Sequence, residues 1–424
     1  MMKKQVDVAI IGTGTAALAA ASEVQRATQN FVIISNGVYG TTCVRAGRMP
    51  SKAFILGAQL YHTRHRMQKS GIHGTEHLQM DIAELLMHVR AHRDHFLHYT
   101  LETTQQYKPY IVEGDAWFLS CTEIRVDDIV YSAKRVVLAT GSSPIIPEFC
   151  ANYSDDILTS DTIFEQETLP ATLGVMGMSV LGTEMAQAFA RLGIHVIASH
   201  DGTFIGGLTD PIVNDYALHY LSNEMEIRLT QSPEECLQGE SKSWFVAQSR
   251  KANLEHMGLE DCGICQPGKP VIDYNPETMQ LGDLPVFVAG DVKLGRSILN
   301  EATDEGKIAG YNATHSSIKS FKRRTPLQIT YTDPTIAIAG KALAELDPET
   351  IVAGHATYDN QGRAKIMGEA HGIIRLYADK DTYELLGAEL FAPAGEHLAH
   401  MLAWITDQRM TEKKRSNCHS ITLL

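Results

Sequence analysis

Nowhere in this 424-residue sequence do apolar residues run uninterrupted for the roughly 18 positions that a membrane-spanning helix needs, so no transmembrane segment is expected. No secretory leader is expected either. MMKKQVDVAIIG passes from two lysines into a short strand-like run that turns into glycines without a cleavage site. Positive charge is not in excess: 37 Lys and Arg stand against 50 Asp and Glu, a net charge of −13. That balance excludes a broad nucleic-acid footprint, and the one tight basic cluster, KSFKRR at 319–324, reads as a solvated linker. Seven cysteines (43, 121, 150, 236, 262, 265 and 418) without an export signal point to a reducing compartment. Structural disulfides are therefore not expected, and a cytoplasmic location is. Cys262 and Cys265 form a C-x-x-C, but no second such pair and no His pair stands near them, so they read as ordinary loop thiols. His88, His92 and His95 share one helical face, yet no Cys or paired carboxylate completes a metal shell and Arg90 and Arg93 crowd it. A solvated or polar-packed face is the expectation, with no metal.

What the sequence does hold is two glycine-marked turns. Its length predicts two or three domains, and 44% apolar residues suffice for large buried cores. VDVAIIGTGTAALAAASEV (6–24) reads as strand, tight turn and helix, with the spacing G-x-G-x-x-A at Gly12, Gly14 and Ala17. Gly12 permits the turn, Gly14 lets backbone approach a pyrophosphate, and Ala17 keeps the helix close to the sheet. The helix N-terminus then offers N–H groups to the phosphates.

A second unit, TLGVMGMSVLGTEMAQAFARLGIHVIAS (172–199), repeats strand, turn, helix and strand. Gly177 and Gly182 hold its outer positions, but Ser179 takes the middle one, where a side chain hinders backbone contact with a phosphate. Between the two units lie a helical stretch near 53–105 and AKRVVLATGSSPIIP (133–147), a buried strand ending in Ala-Thr-Gly. Another strand ends at Gly290-Asp291 and leads into a helix within 283–314. From about 325 the texture changes to several strands and a packing helix, a separate C-terminal α+β domain.

Five motifs in this order, GTGTAA (12–17), YGTTCVRAGRMPSK (39–52), LATGSSP (138–144), GTE (182–184) and VFVAGDV (286–292), resemble the flavoprotein pyridine nucleotide–disulfide oxidoreductases. The dihydrolipoamide dehydrogenase branch is the most similar, and the resemblance runs to about Thr411. It implies an α/β fold of two Rossmann-like three-layer ββα domains, for FAD and NAD(P), plus a C-terminal α+β dimerisation domain. The boundaries expected are 1–150 with 255–318 for FAD, 151–254 for a shortened NAD(P) domain, and 325–424 for the interface of a homodimer. By the same resemblance Thr42, Thr140 and Gly141 join the cofactor contacts, and Asp291 accepts a hydrogen bond from the FAD ribityl chain. The helix from about Leu299 points its positive end at the flavin pyrimidine. Lys52 stands beside flavin N5 with Glu184 as its carboxylate partner; an acid favoured by the first turn of its helix is the plainer reading of Glu184, and both can hold.

The departures carry the functional question. The family spaces two redox cysteines C-x4-C, and here Cys43 matches the outer, substrate-exchanging one while Arg48 replaces the flavin-side one. Arginine forms no thiol adduct and does not shed its charge, so electron relay from flavin to a lipoyl disulfide is blocked. The soluble pyridine nucleotide transhydrogenase branch is similar in keeping one cysteine. The acid that normally binds adenosine ribose hydroxyls is Ser35 in the first unit and His200 in the second, and His200 can tolerate a 2′-phosphate, which leaves NADPH open beside NADH. Residues 222–260 are short of a β-excursion, and VAQS (246–249) stands where the family has a second Ala-Thr-Gly. The family's terminal His-Pro and Glu are replaced by MTEKKRSNCHSITLL. Read one nucleotide earlier, codons permitted for residues 417–422 can spell Leu-Pro-Phe-Tyr-His-Pro, which suggests a frame change near 412 and means that His419 is not the catalytic histidine. Three functions follow: an FAD-dependent NAD(P)H oxidoreductase passing electrons to quinones, dyes or oxygen with disulfide exchange impaired, a transhydrogenase, or an inactive relic. The substrate, a lipoyl-type disulfide or another small molecule, stays open, and neither nucleic acid nor membrane is expected as a partner.

Overall fold

The structure, a computed structural model, describes all residues except 151–156, 231, 233, 236–240, 242, 266–271, 296–297 and 412–424. Cys236, Cys418, His419 and the altered tail after residue 411 lie outside the described residues. Two compact units emerge: Met1–Pro50 with Ala91–Ile145 and Arg250–Arg323, and Ser51–Arg90 with Ile146–Ser249 and Arg324–Leu424.

The first unit is built on a sheet ordered β3 (Ile111–Glu113), β2 (Phe31–Ser35), β1 (Met2–Ile11), β6 (Ile129–Leu138), β5 (Glu123–Val126) and β4 (Trp117–Ser120), with β14 (Val286–Val288) also pairing with β6. Strands β3, β2, β1, β6 and β14 run parallel to their neighbours, and β5 and β4 turn back antiparallel. Both faces of the parallel strands are covered, which is why they read as unbroken apolar runs. Ile10, Ile33 and Val137 face helices α1 (Thr15–Ala27) and α8 (Leu299–Thr314), while Ala9, Ile34 and Val136 face the β4–β5 side. A Cβ on Gly306 of α8 would sit 2.2 Å from the Ala16 carbonyl oxygen, so glycine lets α8 lie directly on α1. A short antiparallel pair, β7 (Ser142–Pro144) and β13 (Arg250–Ala252), follows the β6 turn, and α2 (Thr42–Arg45) follows β2.

The second unit holds two sheets. One is parallel, in the order β11 (Glu226–Leu229), β10 (His195–His200), β9 (Thr172–Met176), β12 (Trp244–Val246) and β8 (Ile157–Leu158). Helix α6 (Val180–Arg191) connects β9 to β10, and α7 (Pro211–Leu221) is capped by Asp210 and carries Pro211 in its first turn. The other sheet is antiparallel, β15 (Leu327–Thr330), β16 (Thr335–Gly340), β19 (Leu385–Ala392), β18 (Ile373–Asp379) and β17 (Ile351–Thr357), packed by α10 (Gly395–Asp407). That is the α+β texture read from 325 onward; a short helix, α9 (Gly362–Met367), precedes β18.

The helical stretch divides into α3 (Arg48–His62), α4 (Arg64–Lys69) and α5 (Ile82–Thr104). Phe54, Leu86 and Val89 join Phe164, Leu173 and Phe189 in one buried cluster of the second unit. Within that unit Glu389 accepts from the Thr209, Asp210 and Leu343 amides at 2.7, 2.9 and 2.9 Å, so a buried carboxylate fastens the turn before α7 to β19. Among the described residues no helix is long and apolar enough to cross a membrane.

Candidate functional site

In the first unit, β1, β6 and β14 lie side by side, with Ile11 opposite Leu138 and Leu138 opposite Val288. Their three turns, starting at Gly12, Ala139 and Ala289, therefore open at one edge of the sheet. Backbone bonds knit that edge: Gly12 donates to Ile34 at 2.8 Å, Ala139 to Ile11 at 2.9 Å and Ala289 to Leu138 at 3.0 Å. Gly12 has φ +115° and a Cβ there would lie 2.4 Å from the Ala139 carbonyl, so the sequence needs glycine at this point. Gly14 is the N-cap of α1, with open space where its Cβ would be and no side chain capping the helix end. Ala17 is buried in the first turn of α1.

Ser35 ends β2, buried, with its hydroxyl 3.2 Å from the Thr13 hydroxyl. Thr140 presents a buried Oγ1 with no protein hydrogen-bond partner, beside Gly141 at φ +75°. Asn253 braces this turn by donating to the Thr140 carbonyl at 3.0 Å. Asp291 begins the turn after Gly290, whose amide donates to Glu305 Oε2 at 2.9 Å. Glu305 also meets Lys293 Nζ at 3.0 Å and the Arg323 guanidinium at 3.0 Å. Burial pushes the Glu305 carboxyl upward against the pull of those cations. Asn253 and Glu305 were not singled out by the sequence, because the contacts that give them a task span tens of residues, and Arg323, read only as part of a solvated linker, instead pairs with Glu301 and Glu305. A glycine cradle, an uncapped helix end and an orphaned buried hydroxyl at one sheet edge fit the pyrophosphate and polar stem of FAD.

Thr42 opens α2 and is exposed, while Cys43 and Arg48 are half-buried. A Cβ on Gly47 would lie 3.0 Å from the Thr42 carbonyl and 3.2 Å from Cys43 Cα. The chain thus folds back tightly between residue 43 and residue 48, the turn that a C-x4-C pair would occupy.

In the second unit Lys52 and Glu184, 132 positions apart, meet with Nζ 2.7 Å from Oε2. Glu184 is 3% exposed, and its other oxygen accepts from the Tyr331 amide at 2.7 Å. Lys52 Nζ also lies 4.2 Å from the Tyr331 ring centroid, so the cation rests between a carboxylate and an aromatic face. Glu184 stands in the second turn of α6, and the first turn holds no acid, so the reading of Glu184 as a first-turn acid does not describe it. Tyr331 was missed: nothing local marks the residue just after β15 as a neighbour of Lys52.

Gly177 (φ +94°) and Gly182 close the second turn, where a Cβ on Gly182 would lie 1.9 Å from the Gly177 carbonyl. Ser179 turns inward. Its hydroxyl donates to the Ala247 carbonyl at 2.6 Å and accepts from the Gly182 amide at 3.3 Å, capping α6. The VAQS segment begins at the end of β12, with the Ala247 amide bonded to Met176 at 2.8 Å, so it flanks this turn as the Ala-Thr-Gly flanks the first. His200 ends β10 with Nδ1 buried, 3.3 Å from an Asp201 oxygen but outside hydrogen-bond geometry.

Cys121, Cys150, Cys262 and Cys265 are thiols. Burial raises Cys262 and Cys265 above the ordinary thiol value, with Asp261 and Glu260 adding to it, which makes both poor nucleophiles. No group of three or more His, Cys, Asp or Glu among the described residues could hold a metal ion. The face of His88, His92 and His95 lies on α5, where the His95 ring packs edge-on to Tyr99 at 4.8 Å.

Residues 6–306 match the family described as pyridine nucleotide-disulphide oxidoreductase, and residues 327–421 match that family's dimerisation domain. A mercuric reductase of Lysinibacillus sphaericus is 26% identical over 91% of this chain and 74% of its own length. A soluble pyridine nucleotide transhydrogenase of a Marinomonas species is 27% identical over 95% of this chain and 91% of its own. Among solved structures, the copper(II) complex of the HOCl-induced flavoprotein disulfide reductase RclA of Escherichia coli superposes with a TM-score of 0.81 at 17% identity, covering 99% of this chain and 98% of that one, which shows the shared fold. The chain belongs to the pyridine nucleotide-disulphide oxidoreductase family, whose members use FAD and NAD(P)H.

Proposed function

We propose that this protein is an FAD-dependent NAD(P)H oxidoreductase that exchanges hydride between nicotinamide and flavin and in which dithiol–disulfide exchange is impaired. One observation carries this reading: Arg48 stands five positions after Cys43, while Lys52 and Glu184 of the same constellation remain paired at 2.7 Å. Bound FAD would supply the two-electron acceptor. Gly12, Gly14, Ala17, Ser35, Thr42, Thr140, Gly141 and Asp291 are the residues proposed to hold it, within 1–150 and 255–318. Gly177, Gly182 and His200 of 151–254 are proposed to face NAD(P)H, and 325–424 to form the homodimer interface.

Lys52 supplies a fixed positive charge held by Glu184 and Tyr331. Cys43 remains as a single thiol that cannot close an intramolecular disulfide with residue 48. Electrons therefore leave to a soluble acceptor such as a quinone or dye. The steady-state test compares NADH-driven reduction of a quinone or dye with that of lipoamide by flavin-replete protein. Dye turnover without lipoamide turnover supports the reading, and lipoamide turnover at a comparable rate refutes it.

A transhydrogenase is the second reading. The Marinomonas relative, matched over 91% of its length, favours it together with the single cysteine. Reduction of one nicotinamide by another in the same protein, without dye, would select it. Protein that takes up little flavin and oxidises no reduced nicotinamide would select the inactive relic instead.

A further inference from the structure

The first dinucleotide turn lacks the acid expected at the end of β2, where Ser35 stands. Ser35 is a weak substitute. Thr13 donates its one hydroxyl proton to the Val38 carbonyl at 3.1 Å, so in the 3.2 Å contact between Thr13 and Ser35 the proton comes from Ser35. What remains on Ser35 is a neutral, buried acceptor, whereas a ribose diol offers two donors that a carboxylate receives best.

The neighbouring strand carries that carboxylate. Strand β3 runs parallel to β2, and Glu113, its last residue, lies directly opposite Ser35. Residues opposite one another in a parallel pair project to the same face, about 5 Å apart. The Gly114 amide bonds the Ser35 carbonyl at 2.8 Å, which fixes the register at this end of the sheet. Glu113 is also steadied: the Tyr39 hydroxyl donates to its Oε1 at 2.5 Å. Burial, then the bond to Glu113, pushes the Tyr39 phenol up to about 12, so it stays a donor through the physiological range. One carboxylate oxygen is thus committed to positioning, and a carboxylate has further lone pairs for a ligand.

We infer that Glu113 has taken over from the residue at position 35 as the carboxylate that binds the adenosine ribose hydroxyls of FAD, with Tyr39 as its positioning residue. This rests on the reading that the first unit binds FAD. The acid has moved one strand sideways in the sheet while keeping its level along the strand axis. Sequence comparison at position 35 alone records a loss; the register of β2 and β3 records a relocation.

The test uses full-length protein stripped of flavin and titrated with FAD and with FMN, which has no adenosine, by quenching of flavin fluorescence. Glu113→Gln is expected to raise the FAD Kd roughly tenfold, the size of one charge-assisted hydrogen bond, and to leave the FMN Kd unchanged. Tyr39→Phe should weaken FAD by about threefold, since the carboxylate stays and only its orientation loosens. Adding Ser35→Glu to Glu113→Gln should restore FAD binding, which a general folding defect would not allow. An FAD Kd within about twofold of wild type in Glu113→Gln, or equal weakening of FAD and FMN, overturns the inference. Wild-type protein that takes up no FAD at all overturns the reading beneath it and the inference with it.

Discussion

Glu184 Oε2 and Lys52 Nζ lie 2.7 Å apart, and the carboxylate is almost fully buried while its second oxygen holds the Tyr331 amide. Removing one member of such a pair leaves a poorly solvated charge. Glu184→Gln keeps the acceptor for Tyr331 but strands Lys52, and should cost about 2 kcal/mol, read as a lower thermal midpoint of the flavin-free protein. The double variant Lys52→Met with Glu184→Gln should recover part of that loss. A double variant less stable than the sum of both single changes contradicts the pairing.

Ser179 gives a second prediction. As the N-cap of α6 it accepts from the Gly182 amide and donates to the Ala247 carbonyl, so Ser179→Ala should destabilise by about 1 kcal/mol. Ser179→Gly should cost only a few tenths of a kcal/mol and tighten NADH or NADPH binding, because the helix-end amide is released to a phosphate. Nucleotide fluorescence titration checks it; unchanged or weaker binding in Ser179→Gly counts against a phosphate at this turn.

Legibility in the sequence followed the range of each interaction. Gly12, Gly14 and Ala17 were readable because the strand, the turn and the helix they serve are contiguous, and β9, α6 and β10 were readable for the same reason. The inward turn of Ser179 was not, since its partner Ala247 is 68 positions away and follows a strand that local pattern does not pair with β9. Glu113 escaped notice because only the parallel register sets it opposite Ser35. Tyr331 and Glu305 escaped for a related reason: a cation held by an aromatic face, or a turn amide held by a buried carboxylate, is a property of three-dimensional packing.

Acid sensitivity should centre on Asp210. Burial alone would raise its carboxyl, but hydrogen bonds from Tyr377, Arg375 and the Ile212 amide, together with the Arg375 charge, bring it below the ordinary value. A carboxyl depressed in the folded state stabilises fully above its unfolded pKa and loses that contribution as pH falls through the folded one. Stability should therefore decline as pH drops below about 4, and Asp210→Asn should flatten that part of the profile while lowering stability at neutral pH. Thermal midpoints measured from pH 7 down to pH 3 decide it; an unaltered slope in Asp210→Asn refutes the assignment.

The tight turn around Gly47 makes Arg48→Cys informative. With Gly47 packed on Cys43 Cα, a cysteine at 48 should close a disulfide with Cys43 under mild oxidation. Thiol titration of the denatured variant should then find two fewer thiols in the oxidised sample than in the reduced one. Cys43→Ser with Arg48→Cys should show no such difference. Equal counts in the oxidised and reduced single variant would mean that residues 43 and 48 do not face one another.

Anaerobic titration of the purified protein with NADH, followed by visible absorption, tests the central claim most directly. The prediction is that near-stoichiometric flavin bands bleach without a long-wavelength thiolate band, and that this band emerges only in Arg48→Cys. A long-wavelength band in the wild-type protein, discharged by lipoamide, would contradict the account.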